Sequence, residues 1–344
     1  MIFRYALMDL PSDDRNSLLF KLFMVLRFAF LIPMKPLSAN QLRGNWATLL
    51  AAWNRDESLD LGRVAAEIDT LIAMKVDGIY SNGTAGEFHT LDEAEFDQLA
   101  ELLATRCEPA GMPFQIGVSH PVAQVMLARL KRVVPLAPSA VQVILPDWFP
   151  LTDDEALAFL RRMTEAAGGV GMVLYNPPHA KRRLDPAALG RLAAAVPELV
   201  GVKVAGGDDA WYAAMRPVFQ RLSVFVPGHQ LASGFARGAH GAYSNVACLH
   251  PAAAQRWWEQ MQTDLPAALE LETRIRRFMD DQFVPFIRDR HFCNGACDRL
   301  LANLGGWADV GPAMRWPYRS IPAAEADRLR PIAFGLLPEF FPTA

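Results

Sequence analysis

One lysine of this chain lies inside a short apolar run, Val200-Gly201-Val202-Lys203-Val204. A run of β-branched residues bounded by glycines predicts a short buried strand. Burial disfavours the ammonium and lowers the pKa of a lysine, so that a neutral amine becomes available to attack a ketone and form a Schiff base. The alternative is a lysine near a strand end whose amine simply reaches solvent. Lys203 taken alone does not decide between the two.

Two other places in the sequence carry groups that Schiff-base chemistry needs. Tyr175 ends the apolar run Gly171–Tyr175, one strand–helix unit before Lys203. If their strands are neighbours in a parallel sheet, equivalent residues lie side by side and the phenol and the amine are expected to meet. The segment Gly83-Thr84-Ala85-Gly86 places glycines around a hydroxyl residue, which lets backbone N–H groups approach an anion such as a carboxylate. An ordinary turn would have the same composition.

Strands that alternate with helices position these residues. We predict strands at 46–52, 78–81, 113–118, 140–145, 171–175, 200–204, 222–227 and 241–245. Strands that are apolar throughout and alternate with helices form a parallel sheet covered on both faces. Eight such units predict an α/β fold, a (β/α)8 TIM barrel with Lys203 on its sixth strand. A doubly wound open sheet is the alternative, but no G-x-G-x-x-G motif follows the first strand.

The two ends of the chain depart from this alternation. After residue 245 we predict helices only, at 251–263, 265–281 and 294–304, with one more from Ala323. The predicted organisation is a barrel over 42–248, a C-terminal helical region over 249–344 packed on the barrel, and an N-terminal extension over 1–41. The apolar run Leu18–Pro33 contains Lys21 and Arg27 and is short for a membrane span. It can be an amphipathic helix, a weak anchor, or sequence upstream of a start at Met34, which we favour.

Composition argues against several kinds of partner. The chain has 344 residues, 51% of them hydrophobic, and a formal net charge of −3, which gives no reason to expect nucleic acid or an anionic membrane. Its four cysteines form no disulfide framework and favour a reducing compartment. The pair Cys293 and Cys297 lacks the further ligands of a zinc site. We therefore predict a cytoplasmic protein with no metal site.

Four motifs, in order along the chain, resemble the dihydrodipicolinate synthase / N-acetylneuraminate lyase family of class I aldolases. They are Gly83–Glu87 (GTAGE), Tyr175–Pro178 (YNPP), Gly201–Asp208 (GVKVAGGD) and Gly238–Ala247 (GAHGAYSNVA). The resemblance extends from about residue 42 to residue 304. It implies a barrel with a C-terminal helical extension, assembly as a homotetramer or homodimer, and a reaction without metal or organic cofactor. The implied substrate is pyruvate or another small-molecule 2-oxo acid.

The resemblance also implies roles for individual residues. Lys203 would form the Schiff base, and Tyr175 would carry protons to and from the carbinolamine and the substrate hydroxyl. In the loop that Gly83 opens, Thr84 and the backbone N–H groups of Thr84 and Ala85 would bind the carboxylate of the 2-oxo acid.

Further residues are expected to surround the substrate. The backbone at Tyr243 would line the floor of the site. Trp148 and His179, in the loops after strands four and five, are additional substrate-binding candidates. Glu87 is expected to be a structural, buried carboxylate.

Several positions depart from the family pattern. Ala85 replaces the second of two adjacent hydroxyl residues, and Pro146–Phe149 lacks the tyrosine that the synthase supplies from a neighbouring subunit. Ala180 stands where the synthase has an arginine for its second substrate, and His229 stands where sialic acid lyases have an acid. These differences argue against dihydrodipicolinate synthase activity and against cleavage of sialic acid.

The predicted function is therefore a Schiff-base lyase that performs aldol cleavage or condensation on a 2-oxo acid. Few fixed charges surround the site, which favours a neutral or aromatic aldehyde partner or a short sugar acid. A 2-oxo sugar acid dehydratase is the alternative within this class. A non-catalytic protein that binds 2-oxo acids is the alternative outside it, since Ala85 and Trp148 weaken the proton relay.

Overall fold

Eight parallel strands close into a barrel in the computed structural model, which describes residues 34–341. Each strand pairs with the next in sequence order, and the last pairs with the first. The strands are β1 (Gly44–Thr48), β2 (Gly78–Ser81), β3 (Phe114–Gly117), β4 (Ala140–Val143), β5 (Met172–Tyr175), β6 (Leu199–Lys203), β7 (Ser223–Pro227) and β8 (Gly241–Tyr243). The predicted (β/α)8 barrel is confirmed. The apolar run Leu18–Pro33 lies outside the described residues.

A helix follows each of the first seven strands and covers the outside of the barrel. These helices are α1 (Leu61–Ala73), α2 (Glu93–Ala110), α3 (Ala123–Val133), α4 (Asp153–Ala167), α5 (Pro186–Ala195), α6 (Asp209–Phe219) and α7 (Leu231–Ala236). Helix α4 begins with a capping box, in which the Glu155 carboxylate accepts from the Thr152 N–H at 2.7 Å and the Glu155 N–H donates to Thr152 Oγ1 at 3.3 Å. This reciprocal pair satisfies two N–H groups that the helix leaves free.

Helices alone make up the regular structure between β8 and residue 341. They are α8 (Asn245–Leu249), α9 (Pro251–Thr263), α10 (Leu265–Phe278), α11 (Val284–Arg288), α12 (Asn294–Gly305) and α13 (Ala324–Leu336). The helix predicted over 265–281 instead ends at Phe278 and continues as a π-helical turn, Met279–Phe283, into α11. Pro285 has no N–H to donate, so the α-helical hydrogen-bond ladder cannot run through this point unchanged. Within residues 34–341, every helix is too short or too polar to cross a bilayer.

The barrel interior is filled by aromatic and apolar side chains. Leu42, just before β1, packs with Trp46, Phe225 and Tyr243 in one buried cluster. The Tyr243 ring stacks on Phe225 at 4.5 Å, and its hydroxyl donates to Gln115 Oε1 at 2.6 Å. The interior is therefore a packed core, as the architecture requires.

Candidate active site

A cavity of about 280 Å³ lies at the carboxyl ends of the strands. The barrel makes one wall, which holds Tyr80 and the predicted site residues Thr84, Ala85, Tyr175, Lys203 and Tyr243. The other wall comes from the C-terminal region, from the π-helical turn, α11 and α12. Strand ends are where active sites of this architecture are built, so this cavity is the candidate active site.

Lys203 is the last residue of β6 and pairs in register with Tyr175, the last residue of β5. The two side chains meet, as predicted, with Lys203 Nζ 4.4 Å from the centroid of the Tyr175 ring. The rings of Tyr80 and Tyr243 lie 5.4 and 5.5 Å from the same nitrogen. Burial lowers the pKa of Lys203 to about 8, although the carboxyl of Asp298 partly opposes this shift. A minority of the amine is therefore neutral near physiological pH, far more than for an ordinary lysine.

The phenol of Tyr175 is held in its protonated form. Burial raises the pKa of Tyr175, and the Thr84 hydroxyl offsets only part of that shift. Thr84 thus lies near the phenol as well as lining the cavity. A phenol in this state is suited to donate a hydrogen bond or a proton, and less suited to accept a proton at neutral pH.

The Thr84 loop presents backbone donors to the cavity. Within residues 34–341, no protein acceptor takes the N–H of Thr84 or of Ala85, whereas the carbonyls of Gly83 and Thr84 accept from Phe88 and Glu87. Gly83 does not line the cavity but lies against the Tyr80 ring, where a Cβ would come within 2.6 Å of Cε2. The loop therefore offers two unpaired N–H groups beside a hydroxyl, an arrangement that suits a carboxylate.

Glu87, at the end of the same loop, is fully buried and forms an ion pair with Arg299 of α12. Its carboxylate also accepts from the Trp53 indole at 3.0 Å and from the Arg315 N–H at 3.1 Å. Arg299 in turn donates to the carbonyls of Ala51 at 2.5 Å and of Val310 at 2.8 Å. Glu87 thus holds the Thr84 loop against the C-terminal region, which is a structural position.

Two predicted substrate-binding residues lie away from the cavity of this chain. Trp148 is 76% exposed, and its carbonyl accepts from Lys181 Nζ at 2.9 Å. His179 is exposed as well. Neither lines the cavity, so their assignment stays a prediction.

His229 does line the cavity. Its Nδ1 lies 3.0 Å from Nδ2 of Asn245, and burial lowers its pKa. The ring is therefore neutral near pH 7 and leaves this part of the wall without a charge.

The sequence did not indicate the residues of the C-terminal wall. Among them is Asp298 on α12, whose pKa burial raises to about 7 while the nearby Lys203 lowers it in part. Ala296, Leu300 and Leu301 of the same helix are buried. An acid within such an apolar helix is the sequence signal that would have identified Asp298.

The fold and the cavity define a class: a (β/α)8 barrel with a C-terminal helical wall and a buried lysine beside a tyrosine at the strand ends. The model of the dihydrodipicolinate synthetase family matches residues 41–288, and the chain belongs to this family. Its relatives include lyases, and this chain is a member of that lyase family.

Individual relatives are distant. An uncharacterized DapA-like lyase of Halobacterium salinarum is 28% identical over 213 residues, which cover 61% of this chain and 69% of the relative. The N-acetylneuraminate lyase of Escherichia coli is 28% identical over 142 residues, 41% of this chain and 47% of the relative.

Solved structures share the fold at lower identity. YagE, a prophage protein of the dihydrodipicolinic acid synthase family from E. coli K12 in complex with pyruvate, matches with a TM-score of 0.76 at 18% identity, over 86% of this chain and 98% of that one. The sialic acid aldolase of Ruminococcus gnavus matches with a TM-score of 0.75 at 16% identity, over 88% of this chain and 100% of that one. At such identities the likeness establishes the architecture alone.

Proposed function

We propose that this chain is a Schiff-base lyase that cleaves or forms a carbon–carbon bond next to a 2-oxo acid, with Lys203 as the nucleophile. One observation carries the proposal: the buried amine of Lys203 lies 4.4 Å from the Tyr175 ring, and burial brings its pKa to about 8. A lysine held in this way is a nucleophile at neutral pH rather than a surface charge.

The arrangement of the site suits each part of a 2-oxo acid. The free N–H groups of Thr84 and Ala85 would bind the carboxylate, and Lys203 would attack the neighbouring carbonyl carbon. Loss of water then gives an iminium, which withdraws electrons from the substrate. The bond between C3 and C4 then breaks and leaves an enamine. Tyr175, near Thr84, would donate to the carbonyl oxygen as it gains charge during the addition of the amine.

Pyruvate is the 2-oxo acid we propose as the common part of the substrate. YagE, which has this fold, was solved in complex with pyruvate. The cavity beyond Lys203 is enclosed largely by apolar residues of the C-terminal wall, including Met279, Phe283 and Val284. A neutral, partly apolar aldehyde would fit that half of the cavity better than a dicarboxylate.

Borohydride trapping tests the proposed function. The protein is incubated with pyruvate, reduced, digested, and the peptides are analysed by mass spectrometry. We expect a mass increase, matching one reduced pyruvate imine, on the peptide that contains Lys203. If neither pyruvate nor a panel of larger 2-oxo acids gives an adduct at Lys203, the proposed function is wrong and a binding role replaces it.

The rate of adduct formation should depend on pH in a direction that the Lys203 pKa fixes. The amine attacks only when it is neutral, and its pKa is lowered to about 8. We therefore expect the initial trapping rate to rise from about pH 6 towards neutral pH, well below the range in which an ordinary lysine becomes neutral. Trapping with cyanoborohydride at fixed pyruvate concentration measures this rise. A rate that begins to increase only near pH 10 would contradict the assignment.

Tyr175→Phe should separate imine formation from turnover. The variant keeps the ring beside Lys203 but removes the phenol hydroxyl. We expect an adduct with pyruvate still to form, while exchange of the pyruvate methyl protons in D₂O falls about 100-fold, because every exchange cycle includes the addition step in which the phenol would donate to the carbonyl oxygen. Proton NMR measures the exchange. A fully active Tyr175→Phe enzyme would remove the phenol from the proposed mechanism.

Dehydration of a 2-oxo sugar acid is a second candidate, because polar groups also face the cavity. His229, Asn245 and Asn294 line it and would meet substrate hydroxyls. Cleavage and dehydration share the imine and differ in the product. Incubation with a panel of 4-hydroxy-2-oxo acids and sugar acids therefore distinguishes them, since cleavage releases an aldehyde and dehydration releases only water.

A further inference from the structure

We propose that Asp298, on the C-terminal helix α12, is a catalytic residue of this site whose carboxyl exchanges protons with the substrate bound to Lys203. This inference rests on the proposed Schiff-base function and adds a residue to it. It assigns to the C-terminal wall a part in the reaction itself, in addition to enclosing the substrate.

The face of α12 that carries Asp298 forms part of the cavity. Asn294, Cys297 and Asp298 all line it, and their spacing of three and four residues places them on one side of the helix. The start of the helix lies close against the proposed carboxylate loop, since a Cβ at Gly295 would be 3.3 Å from the Thr84 carbonyl oxygen. Asp298 therefore faces the space between Thr84 and Lys203, where the reacting atoms would lie.

The position of Asp298 is fixed by its neighbour in sequence. Arg299 forms the buried ion pair with Glu87, at the end of the Thr84 loop, and also binds the Ala51 carbonyl. The backbone that carries Asp298 is therefore held next to this buried pair. Within residues 34–341, no hydrogen bond or ion pair joins the Asp298 carboxyl to a protein group, so the carboxyl is available to a substrate.

The proton balance of imine formation suits a carboxyl in this place. A neutral Lys203 amine adds to the ketone and gives a carbinolamine. The protonated Asp298 carboxyl donates its proton to the carbinolamine hydroxyl, the C–O bond breaks, and water leaves. The nitrogen becomes a positively charged iminium and Asp298 becomes a carboxylate. The charges of the pair are then opposite, and a nearby carboxylate stabilises the iminium.

The next step returns the proton. With pyruvate, the Asp298 carboxylate takes a proton from C3, the C–H electrons form the carbon–carbon double bond of the enamine, and the iminium nitrogen becomes neutral. Asp298 is again protonated. With a 4-hydroxy-2-oxo acid the same carboxylate would take the hydroxyl proton while the carbon–carbon bond breaks and an aldehyde forms. In each case one proton moves between Asp298 and the substrate, and no other reactant is needed.

Asp298 is better matched to these transfers than the phenol is. Burial raises the Asp298 pKa to about 7 and raises the pKa of Tyr175 above its ordinary value. A group that gains and loses a proton near neutral pH is the more efficient acid and base. Asp298 also compensates for Ala85, where the family pattern has a second hydroxyl. Its helix begins after residue 288, where the match to the family model ends.

Other titratable groups also face Lys203 and Asp298 across the cavity. They are the phenols of Tyr80, Tyr175 and Tyr243, the thiols of Cys248 and Cys297, His229 and Asp280. Burial raises the pKa of the phenols and thiols and lowers that of His229. Lys203 and Asp298 are thus the pair whose pKa values are brought to about 8 and about 7.

Exchange of the pyruvate methyl protons in D₂O, followed by proton NMR across pH 6 to 9, tests the role of Asp298. For the wild type we expect a bell-shaped pH dependence, because Lys203 must be neutral and Asp298 protonated. Asp298→Asn should lower the exchange about 100-fold and remove the decline on the alkaline side. The rise in exchange rate on the acidic side of the profile should also move to lower pH, because the carboxylate that raises the Lys203 pKa is gone. A structural role alone would leave the shape of the profile unchanged.

Two further variants complete the test. Asp281→Asn removes an exposed carboxylate that does not line the cavity and pairs with Arg277 at 3.6 Å, and it should behave as the wild type. Asp298→Glu retains a carboxyl and should recover exchange to within about tenfold of the wild type. Wild-type exchange in Asp298→Asn, or an Asp298→Glu variant as inactive as Asp298→Asn, would overturn the inference. If the wild type itself forms no adduct and exchanges no protons, the proposed function fails instead.

Discussion

Replacing Lys203 by alanine is expected to abolish the borohydride-trapped adduct with pyruvate and the exchange of pyruvate methyl protons. The amine is the only nucleophile that the proposed mechanism uses, and it lies beside Tyr175 at the paired ends of β5 and β6. No remaining group of the cavity wall can form an imine, because Lys203 is its one amine among the described residues. Intact-protein mass spectrometry after reduction measures the loss.

Two matched variants identify the cause of this loss. Lys203→Arg keeps a cation in the cavity but cannot form the imine, so it should be as inactive as Lys203→Ala. Lys131→Ala removes an exposed lysine of α3 and should form the adduct as the wild type does. Lys203→Ala should melt close to the wild-type temperature, because no ion pair within 4 Å joins Lys203 to another described residue. An adduct in Lys203→Ala of wild-type yield would place the chemistry on another lysine.

Replacing Arg299 by methionine is expected to lower the free energy of unfolding by about 3–5 kcal/mol, the cost of leaving one partner of a buried ion pair unpaired. Glu87 would then be a buried carboxylate without its cation, and the carbonyls of Ala51 and Val310 would lose their donor. Urea unfolding followed by circular dichroism measures the change. Pyruvate exchange should fall as well, because the same pair joins the Thr84 loop to α12.

Comparison with other variants tests the coupling. Glu87→Gln combined with Arg299→Met should recover part of the lost stability, since the unpaired charge is removed. Arg106→Ala breaks an exposed pair with Asp69, 3.0 Å long, and should cost less than about 1 kcal/mol. If Arg299→Met were as mild as Arg106→Ala, the buried pair would have no special part in holding the two walls together.

The barrel could be predicted because its strands are buried on both faces. Apolar runs such as Val200–Val204 and Gly171–Tyr175 then stand out between helical segments, and each strand end marks the place of a site residue. The pairing of Tyr175 with Lys203 followed from strand order alone, because adjacent parallel strands align equivalent residues. Thr84 was found by its glycines, which mark a loop whose backbone is accessible.

The second wall could not be predicted for a different reason. The periodicity of α12 identifies its apolar side, but which polar residue of a helix faces a cavity depends on how the helix packs on the barrel. Asp298 was therefore missed, as was the π-helical turn that Pro285 helps to impose. Trp148 and His179 lie in loops, where no periodicity indicates which way a side chain points. In this chain both side chains are exposed.

The cavity has one wall from the barrel and one from the C-terminal region, and this bears on how related proteins diverge in the substrates they use. Strand ends hold Lys203 and Tyr175, whereas the C-terminal wall, which includes Met279, Phe283 and Asp298, would surround whatever lies beyond the proposed 2-oxo acid. Changes in that wall can alter the second half of a substrate while the strand ends remain as they are. Proteins that share an ancestor can in this way keep one reaction while the aldehyde they act on changes. Common ancestry then predicts which bond is broken better than it predicts which substrate contains that bond.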